Sequence, residues 1–243
     1  MDNLSIELRN VSKRLGPNQA LNKISLFFKA STIHGLIGPD GAGKTTLMRI
    51  LMGLLHPDEG ELIFKSADKT YSQKEVRLSM AYMPQSQSLY GDLSVSEHLD
   101  FFRDLYGLAE KDYQTRRQEL LEITRMAPFA ARPAGHLSGG MYKKLGLMCA
   151  LLPSPRILLL DEPTTGVDPI SRRDFWALLY RLVEESHLLI LTSTSYMDEA
   201  ARCGKVHLIE SGKTIAAGAP REVLAQEKVK TFEELFVRHA KIP

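Results

Sequence analysis

The stretch Gly38–Thr46, GPDGAGKTT, matches the pattern G-x-x-x-x-G-K-[ST] between an apolar strand and a helical pattern. Its glycines let the backbone curl so that several N–H groups can point at one anion, beside the positive end of a helix. Lys44 can then reach the β- and γ-phosphates of a nucleotide, and the Thr45 hydroxyl can ligate Mg²⁺. A plain glycine-rich turn is the alternative. We predict a phosphate-binding loop whose members are Gly38, Asp40, Gly41, Ala42, Gly43, Lys44, Thr45 and Thr46.

A second source of chemistry is the run ILLLDE, which ends in Asp161 and Glu162. Ligands of open α/β sheets bind at the carboxyl ends of the strands, where this apolar strand delivers Asp161. An aspartate there can hold Mg²⁺ and its water shell together with Thr45. Glu162 suits the role of a base that accepts a proton from, or orients, a water attacking the terminal phosphate. A strand ending in solvated acids is the alternative, which the phosphate loop disfavours.

A serine and two glycines, Ser138–Gly140, precede a helical pattern and could form another anion-binding nest. One nucleotide bound to one chain does not need a second phosphate cradle. In a dimer, however, this second cradle can close on the nucleotide of the partner. The simpler interpretation is that Ser138 is a plain helix N-cap.

The elements that must position these residues follow from the hydrophobic periodicity. The first 30 residues alternate as antiparallel strands with a turn at LGPNQ, and strands alternate with helices after Pro153. Upstream of Pro153, from about Ser94, the pattern is helical and opens with Ser94 and Glu97 at the spacing of a capping box. A hairpin is expected to turn at Ser211–Gly212. These patterns predict an α/β fold with a mostly parallel sheet and covered faces.

The composition excludes several classes of protein. The chain has 243 residues with 31 basic and 29 acidic side chains, and a net charge of +2 gives no reason to expect a general nucleic-acid or membrane-surface binder. No window approaches the ~20 apolar residues of a membrane span, and the N-terminus lacks the pattern of a signal peptide. Cys149 and Cys203 lack metal-binding spacing and are expected to be reduced thiols. If the protein works at a membrane, another protein or segment must span it.

Together the motifs resemble those of the nucleotide-binding domain of ATP-binding cassette (ABC) transporters. The phosphate loop corresponds to Walker A, ILLLDE to Walker B, LSGGM to the signature, Gly166–Asp168 to the D-loop, and Gln85 in YMPQ to the Q-loop glutamine. The resemblance implies the P-loop NTPase fold of the ABC ATPase core, with an N-terminal antiparallel β subdomain and an α-helical subdomain. It implies ATP and Mg²⁺, with Gln85 in the catalytic and Mg²⁺ site. It also implies that Ser138–Gly140 and Asp168 contribute to nucleotide binding in a cassette dimer.

The same resemblance suggests boundaries and partners. Residues 1–228 would form the ATPase domain, with a helical subdomain at about 86–153, and residues 229–243 an amphipathic tail. The stretches GPDGAGKTTLMR and STSYMDEA are similar to exporters with an ABC-2 type permease, closest to the first cassette of tandem-cassette multidrug or cation efflux ATPases. This implies a second cassette and a membrane permease as partners, at the cytoplasmic face of the inner or plasma membrane. Between Gln85 and Glu97, the exposed-looking Leu89 and Tyr90 suggest a permease-docking surface, although a plain loop is the alternative.

Two positions depart from the family pattern. Leu15 stands where an aromatic residue usually stacks on adenine, which would lose ~0.5–1.5 kcal/mol of stacking. Ser195 stands where a histidine usually contacts the γ-phosphate, and its short neutral hydroxyl could cost ~10²–10³ in rate. Ser195 could equally be the N-cap of the helix that follows, and both roles can hold together. With a complete partner cassette, this chain's own site would be the weaker one, and Ser138–Gly140 would complete the stronger site of the partner.

The sequence is also compatible with two other functions. One is a soluble cassette ATPase that acts on ribosomes, and the other is a nucleotide-binding module without turnover, which Leu15 and Ser195 favour and Glu162 opposes. Trp176 is expected to pack in the core. No metal site other than that for Mg²⁺ is expected, because six histidines show no ligand spacing and are predicted at the surface or at helix caps: His56, His98, His136, His187, His207 and His239.

Overall fold

Two β-sheets and a group of helices organise the chain in a computed structural model that describes residues 4–86 and 89–239. The strands are β1 (Ser5–Leu15), β2 (Asn18–Phe28), β3 (Ile33–Ile37), β4 (Glu59–Lys65), β5 (Thr70–Tyr71), β6 (Met80–Met83), β7 (Ile157–Asp161), β8 (Leu189–Thr194), β9 (Lys205–Glu210) and β10 (Lys213–Gly218). The helices are α1 (Lys44–Leu51), α2 (Gln73–Arg77), α3 (Val95–Tyr106), α4 (Glu110–Ile123), α5 (Gly139–Leu151), α6 (Pro169–Ser186), α7 (Pro220–Glu227) and α8 (Phe232–His239). Short 3₁₀ helices span Ala127–Phe129, Ala134–His136 and Met197–Arg202.

The central sheet has the strand order β10-β9-β3-β8-β7-β6. Its strands β9, β3, β8, β7 and β6 are parallel, and β10 returns antiparallel to β9 through the predicted turn at Ser211–Gly212. Every residue of β3, β7 and β8 is buried, as expected for parallel strands covered on both faces. The predicted α/β class with a mostly parallel sheet is confirmed, and the carboxyl ends of β3, β7 and β8 meet at one edge.

The N-terminal strands form a second sheet with the order β2-β1-β4-β5, in which every pairing is antiparallel. This confirms the predicted antiparallel β subdomain. Its buried side chains, among them Ile6, Leu8 and Phe28, share one apolar cluster with Leu47 and Ile50 of α1. That packing holds the β1–β2 turn beside the loop that leads into α1.

The predicted helical region is also confirmed. The capping box at the start of α3 is complete, because Ser94 Oγ accepts from Glu97 N at 3.2 Å and Glu97 Oε2 accepts from Ser94 N at 2.7 Å. The helices α3, α4 and α5 pack into one apolar cluster, to which they contribute the buried side chains of Leu99, Tyr113 and Leu145 respectively. The first turn of α5 follows Ser138, so this packing fixes where the SGG segment lies.

The last described helix, α8, packs on the main body of the chain. Its apolar residues Phe232, Leu235 and Phe236 are buried in the same cluster as β7 and α6, and the helix contacts the 3₁₀ helix Met197–Arg202. The predicted amphipathic helix is therefore present within the described part of the 229–243 segment, of which residues 240–243 lie outside the described residues. A helix with the length and apolarity needed to cross a bilayer does not occur in the ranges 4–86 and 89–239.

Two of the histidine predictions are wrong. His98 is fully buried and not at the surface, with Nδ1 2.9 Å from Ser94 O and Nε2 accepting from Tyr90 N at 3.0 Å. His207 is also buried, and its Nε2 lies 3.0 Å from Nδ1 of His34. Periodicity did not reveal these positions because His98 Nε2 meets Tyr90 N, and His207 Nε2 meets His34 on the neighbouring strand β3, only in the folded chain. The Nδ1 atom of His207 has no hydrogen-bond partner among the described residues.

Candidate nucleotide-binding site

The phosphate loop joins β3 to α1 at the carboxyl edge of the central sheet. Gly43 is the N-cap of α1 with a φ of 105°, a left-handed conformation that favours glycine. A Cβ on Gly43 would collide with the carbonyl oxygen of Ala20, and a Cβ on Gly38 would collide with that of Ile209. The first N–H groups of a helix have no partner within it, so this tight loop presents free donors to an anion.

Lys44 lies at the centre of this loop, and its side chain is only 5% exposed. Its Nζ donates to Gly38 O at 2.7 Å and to Pro39 O at 3.1 Å, and it forms an ion pair with Glu162 Oε1 at 3.2 Å. The ammonium group is therefore held over the loop, where the phosphates of a nucleotide would bind. This arrangement fits a nucleoside triphosphate, whose phosphates are bound by backbone N–H donors and a lysine side chain.

Asp161 receives hydrogen bonds on both carboxylate oxygens. Thr45 Oγ1 and Ser193 Oγ donate to Oδ1 at 3.2 and 2.6 Å, and the Tyr82 hydroxyl donates to Oδ2 at 3.0 Å. Burial and the Asp161 charge raise the pKa of Tyr82, which keeps this hydroxyl a donor. A hydroxyl and a carboxylate in contact form the hard oxygen set that Mg²⁺ prefers, so the pair of Thr45 and Asp161 fits that ion.

Tyr82 and Ser193 are functional neighbours that sequence reasoning missed. Ser193 on β8 is the register partner of Asp161, and Tyr82 lies on β6, the other neighbour of β7. Tyr82 pairs in register with Leu159, two residues before Asp161, and its long side chain reaches the carboxylate from there. The sequence carries no direct signal for either contact, because the register of the parallel strands is set by the tertiary fold.

Glu162 adopts a φ of 47°, which is uncommon for a residue with a side chain. Its backbone N–H donates to Ser193 Oγ at 2.9 Å, and Thr165 Oγ1 donates to its Oε2 at 2.9 Å. With Oε1 paired to Lys44, both carboxylate oxygens are oriented by the protein. Strained backbone held by surrounding contacts is common at sites where a side chain must be placed for chemistry.

A cavity of about 600 Å³ opens above the phosphate loop. The first three residues of β2, Asn18, Gln19 and Ala20, line it, and sequence reasoning did not anticipate them. Leu15 is 43% exposed at its edge and offers an apolar surface to a ligand. The predicted residues that line the cavity are Leu15, Asp40, Gly41, Ala42, Gly43, Lys44, Thr45, Thr46, Gln85 and Glu162.

Gln85 follows β6 and its exposed side chain lines the cavity. Lys143 of α5 donates from Nζ to Gln85 O at 3.3 Å, which ties the helical region to this residue. Burial lowers the pKa of Lys143, while the Glu162 carboxylate opposes that shift. Lys143 is a further cation near the site that sequence reasoning did not identify. The neighbouring segment that was predicted to dock a permease includes Gln87 and Ser88, which lie outside the described residues.

Ser195 is half-buried just after β8 and is not among the residues that line the cavity. The alternative that Ser195 caps the next helix is wrong, because Tyr196 is the N-cap of the 3₁₀ helix and provides no side-chain bond. The N–H of Tyr196 instead donates to Thr194 Oγ1 at 3.0 Å. Of the two exposed-looking residues near the Q-loop, Tyr90 is exposed and Leu89 is half-buried against the core.

The signature segment and Asp168 meet at a second place, where α5 and α6 begin. Ser138 Oγ caps α5 by accepting from Met141 N at 3.3 Å, as the simpler interpretation predicts, while the anion-binding role of Ser138–Gly140 stays a prediction. Asp168 caps α6 through bonds from Ile170 N and Ser171 N at 3.1 and 2.9 Å, and hydrogen bonding to Ser171 lowers the pKa of Asp168.

The two glycines of the signature also lie at this place. A Cβ on Gly140 would come within 2.5 Å of the Ser171 Cβ, while a Cβ on Gly139 would lie 3.6 Å from Gly166 O. Ser138, Gly139, Gly140 and Asp168 are not among the residues that line the phosphate-loop cavity. The structure therefore separates the predicted nucleotide contacts into two groups within one chain.

Comparison with known proteins identifies the family of this chain. The family model described as ABC transporter matches residues 21–165. The chain is 43% identical over 234 residues to the probable multidrug ABC transporter ATP-binding protein YbhF of Escherichia coli, covering 96% of this chain but 40% of that protein. It therefore spans less than half the length of that relative.

A second relative and a solved structure agree with this match. The chain is 37% identical over 223 residues to the Nod factor export ATP-binding protein I of Burkholderia lata, covering 91% of this chain and 73% of that protein. A solved structure of an ATP-binding subunit of an ABC transporter superposes with a TM-score of 0.81 at 27% identity, covering 97% of this chain and 99% of that one. The chain belongs to the ABC transporter family, as an ATP-binding domain with the P-loop NTPase fold.

Proposed function

We propose that this chain binds and hydrolyses ATP as the cassette of an ABC exporter. The observation that supports this most directly is the convergence of two consecutive carboxylates on the phosphate loop. Asp161 accepts from Thr45 and Glu162 pairs with Lys44, so one strand end supplies both a metal ligand and a base. Family membership supports the same activity, since two relatives and a similar solved structure are named as ATP-binding proteins.

Each residue has a definite role in this proposal. The N–H groups of the phosphate loop and Lys44 bind the β- and γ-phosphates, and Thr45 and Asp161, with Gln85, hold Mg²⁺. When bound, Mg²⁺ supplies a positive charge that polarises the phosphate oxygens. Glu162, oriented by Thr165, accepts a proton from the water whose oxygen bonds to the γ-phosphorus as the bond to the bridging oxygen breaks.

The second group of predicted contacts leads us to propose a cassette dimer. Ser138–Gly140 and Asp168 lie where α5 and α6 begin and not in the cavity, so they would serve the nucleotide of a partner cassette. Ser195 lies outside the cavity lining and Leu15 replaces an aromatic residue, so we propose that the chain's own site turns over slowly. The partner's site, completed by Ser138–Gly140, would then be the faster one.

We further propose that the chain works with a membrane permease of the ABC-2 type, at the cytoplasmic face of the membrane. The relatives that support this are named for multidrug transport and for Nod factor export. Because the chain covers 40% of YbhF, we also propose that it corresponds to one cassette of a tandem pair. The exposed Tyr90 supports docking of the permease beside Gln85.

Phosphate release with Mg²⁺ and ATP tests the activity. We expect turnover by the wild type and its loss in Lys44→Ala, while Lys74→Ala, an exposed lysine of α2, serves as the matched control and retains it. Binding of ATP without any phosphate release would indicate a module without turnover instead. Co-purification with a membrane permease, as opposed to co-sedimentation with ribosomes, tests the assignment to an exporter.

A further inference from the structure

Glu199 is a fully buried carboxylate on the 3₁₀ helix Met197–Arg202 that the proposed mechanism does not use. Its Oε1 accepts two hydrogen bonds, from Thr164 Oγ1 at 2.8 Å and from Trp176 Nε1 at 3.0 Å. Its Oε2 has no hydrogen-bond partner among the described residues. One oxygen of a single side chain therefore joins three separate segments of the chain.

The three segments lie next to Glu162, Asp168 and Ser195. Thr164 lies two residues beyond Glu162, in the loop that leads to Asp168. Trp176 lies on α6, the helix that Asp168 caps. Glu199 lies four residues beyond Ser195, in the first helical turn after it. A displacement of the Ser195 segment would therefore pull on the loop that holds the proposed base and on the helix at the proposed dimer contact.

The C-terminal end of the same 3₁₀ helix is also fixed. Cys203 Sγ donates to Glu199 O at 3.6 Å and lies against Gly35, where a Cβ would come within 2.6 Å of the sulfur. Gly35 is on β3, three residues before the phosphate loop begins at Gly38. Helix α8 packs on the 3₁₀ helix as well. The carboxylate of Glu199 is thus the buried side-chain link of this segment. The more exposed links are the ion pair of Arg172 with Asp198 at 3.5 Å and the hydrogen bond from the Tyr180 hydroxyl to Arg202 O at 2.8 Å.

Packing alone does not require a carboxylate at this position. A buried charged or polar group is costly unless all of its atoms are hydrogen-bonded, and Oε2 is not. We infer that Glu199 is a positioning residue that couples the Ser195 segment to the loop of Glu162 and Asp168, an inference that rests on the proposed ATP-driven function. Its carboxylate transmits the state of the nucleotide site between these segments without contacting the nucleotide itself.

The test compares conservative changes with matched controls. Glu199→Gln keeps the shape of the side chain but weakens the shared acceptor, and Thr164→Val removes one donor without changing the size of the residue. The controls are Glu184→Gln, an exposed glutamate of α6, and Thr192→Val, a buried hydroxyl of β8 without a described partner. We expect both test variants to lower kcat by about tenfold through misplacement of the base, with KM for ATP within about twofold of wild type. The controls stay at the wild-type kcat.

Hydrogen exchange of the backbone amides, with and without Mg²⁺ and ATP, supplies the second measurement. In the wild type we expect ATP to change exchange in both segments 164–168 and 195–199, and in Glu199→Gln the change at 195–199 to be lost. If Glu199→Gln does not fold, Thr164→Val decides the question by the same measurements. A melting temperature that falls while kcat and the exchange response stay at wild-type levels would overturn the inference. A wild type whose phosphate loop does not respond to ATP would instead contradict the proposed function.

Discussion

Lys44 Nζ lies 3.2 Å from Glu162 Oε1, and both side chains are almost completely buried. The lysine also donates to two carbonyl oxygens of its own loop, so its charge is shared among three acceptors. A bound nucleoside triphosphate would bring further negative charge to the same ammonium group. In the proposed ATPase, Glu162 and the γ-phosphate would therefore compete for Lys44.

The substitution Glu162→Gln separates the effect of Glu162 on ATP binding from its effect on turnover. Removing the carboxylate charge leaves Lys44 free to pair with phosphate and removes a like-charge repulsion, so we expect ATP to bind more tightly. The same change removes the base, so kcat should fall by about 10²–10⁴. Calorimetric titration with ATP and a phosphate-release assay measure the two quantities. Glu184→Gln is the control, and a variant with kcat near the wild-type value would contradict the assigned role.

The sequence was sufficient to predict the residues that follow one another along the chain, and less informative about those that meet across the fold. Asp161 and Glu162 were predictable because an apolar run that ends in two acids, in a chain with a phosphate loop, is typical of a nucleotide and Mg²⁺ site. Tyr82 and Ser193 were not, because their contact with Asp161 depends on the register of three parallel strands. Glu199 was hidden for the same reason, since its partners Thr164 and Trp176 are more than twenty residues away.

Ser195→His tests whether the departure at this position slows the site. Ser195 is half-buried after β8. An imidazole reaches further than a hydroxyl and can carry a positive charge, so in the proposed ATPase it would supply a γ-phosphate donor that the serine lacks. We expect kcat to rise by about tenfold or more, in line with a restored transition-state donor, with little change in KM.

Ser195→Ala is the control for that experiment. Its kcat should stay near the wild-type value if the serine hydroxyl does not reach the phosphate. A steady-state phosphate-release assay measures both variants, and a Ser195→His variant with unchanged kcat would show that this position does not limit turnover.

Leu15→Tyr should strengthen ATP binding through the base. Leu15 is 43% exposed at the edge of the cavity, so an aromatic ring has room to stack on adenine. A stacking contribution of ~0.5–1.5 kcal/mol corresponds to about a two- to twelvefold lower Kd. Fluorescence titration with ATP measures this change. Inorganic triphosphate, which has no base, should bind both proteins equally, and Leu78→Tyr at a leucine that is 89% exposed is the control. Equal gains for both ligands would contradict stacking.

The buried pair of His34 and His207 predicts a pH dependence of stability. Burial, together with the charge of Lys205, lowers the pKa of His34 to about 4. Burial, together with His34 and Lys205, lowers that of His207 to about 3. In the unfolded chain both pKa values return to about 6.5. Below that pH the unfolded state takes up protons that the folded state does not, so the free energy of unfolding decreases as the pH falls.

His207→Phe should remove one of these two contributions. The aromatic replacement keeps contact with Phe28, whose ring centroid lies 4.9 Å from that of His207. Between pH 6 and 4, the wild type should lose stability faster than the variant by about 1.4 kcal/mol per pH unit, the value for one proton. Urea unfolding at several pH values measures the slopes, and carboxylates common to both chains cancel in the difference. The exposed His56→Phe control should keep the wild-type slope. Equal slopes for wild type and His207→Phe would mean that His207 is protonated in the folded state.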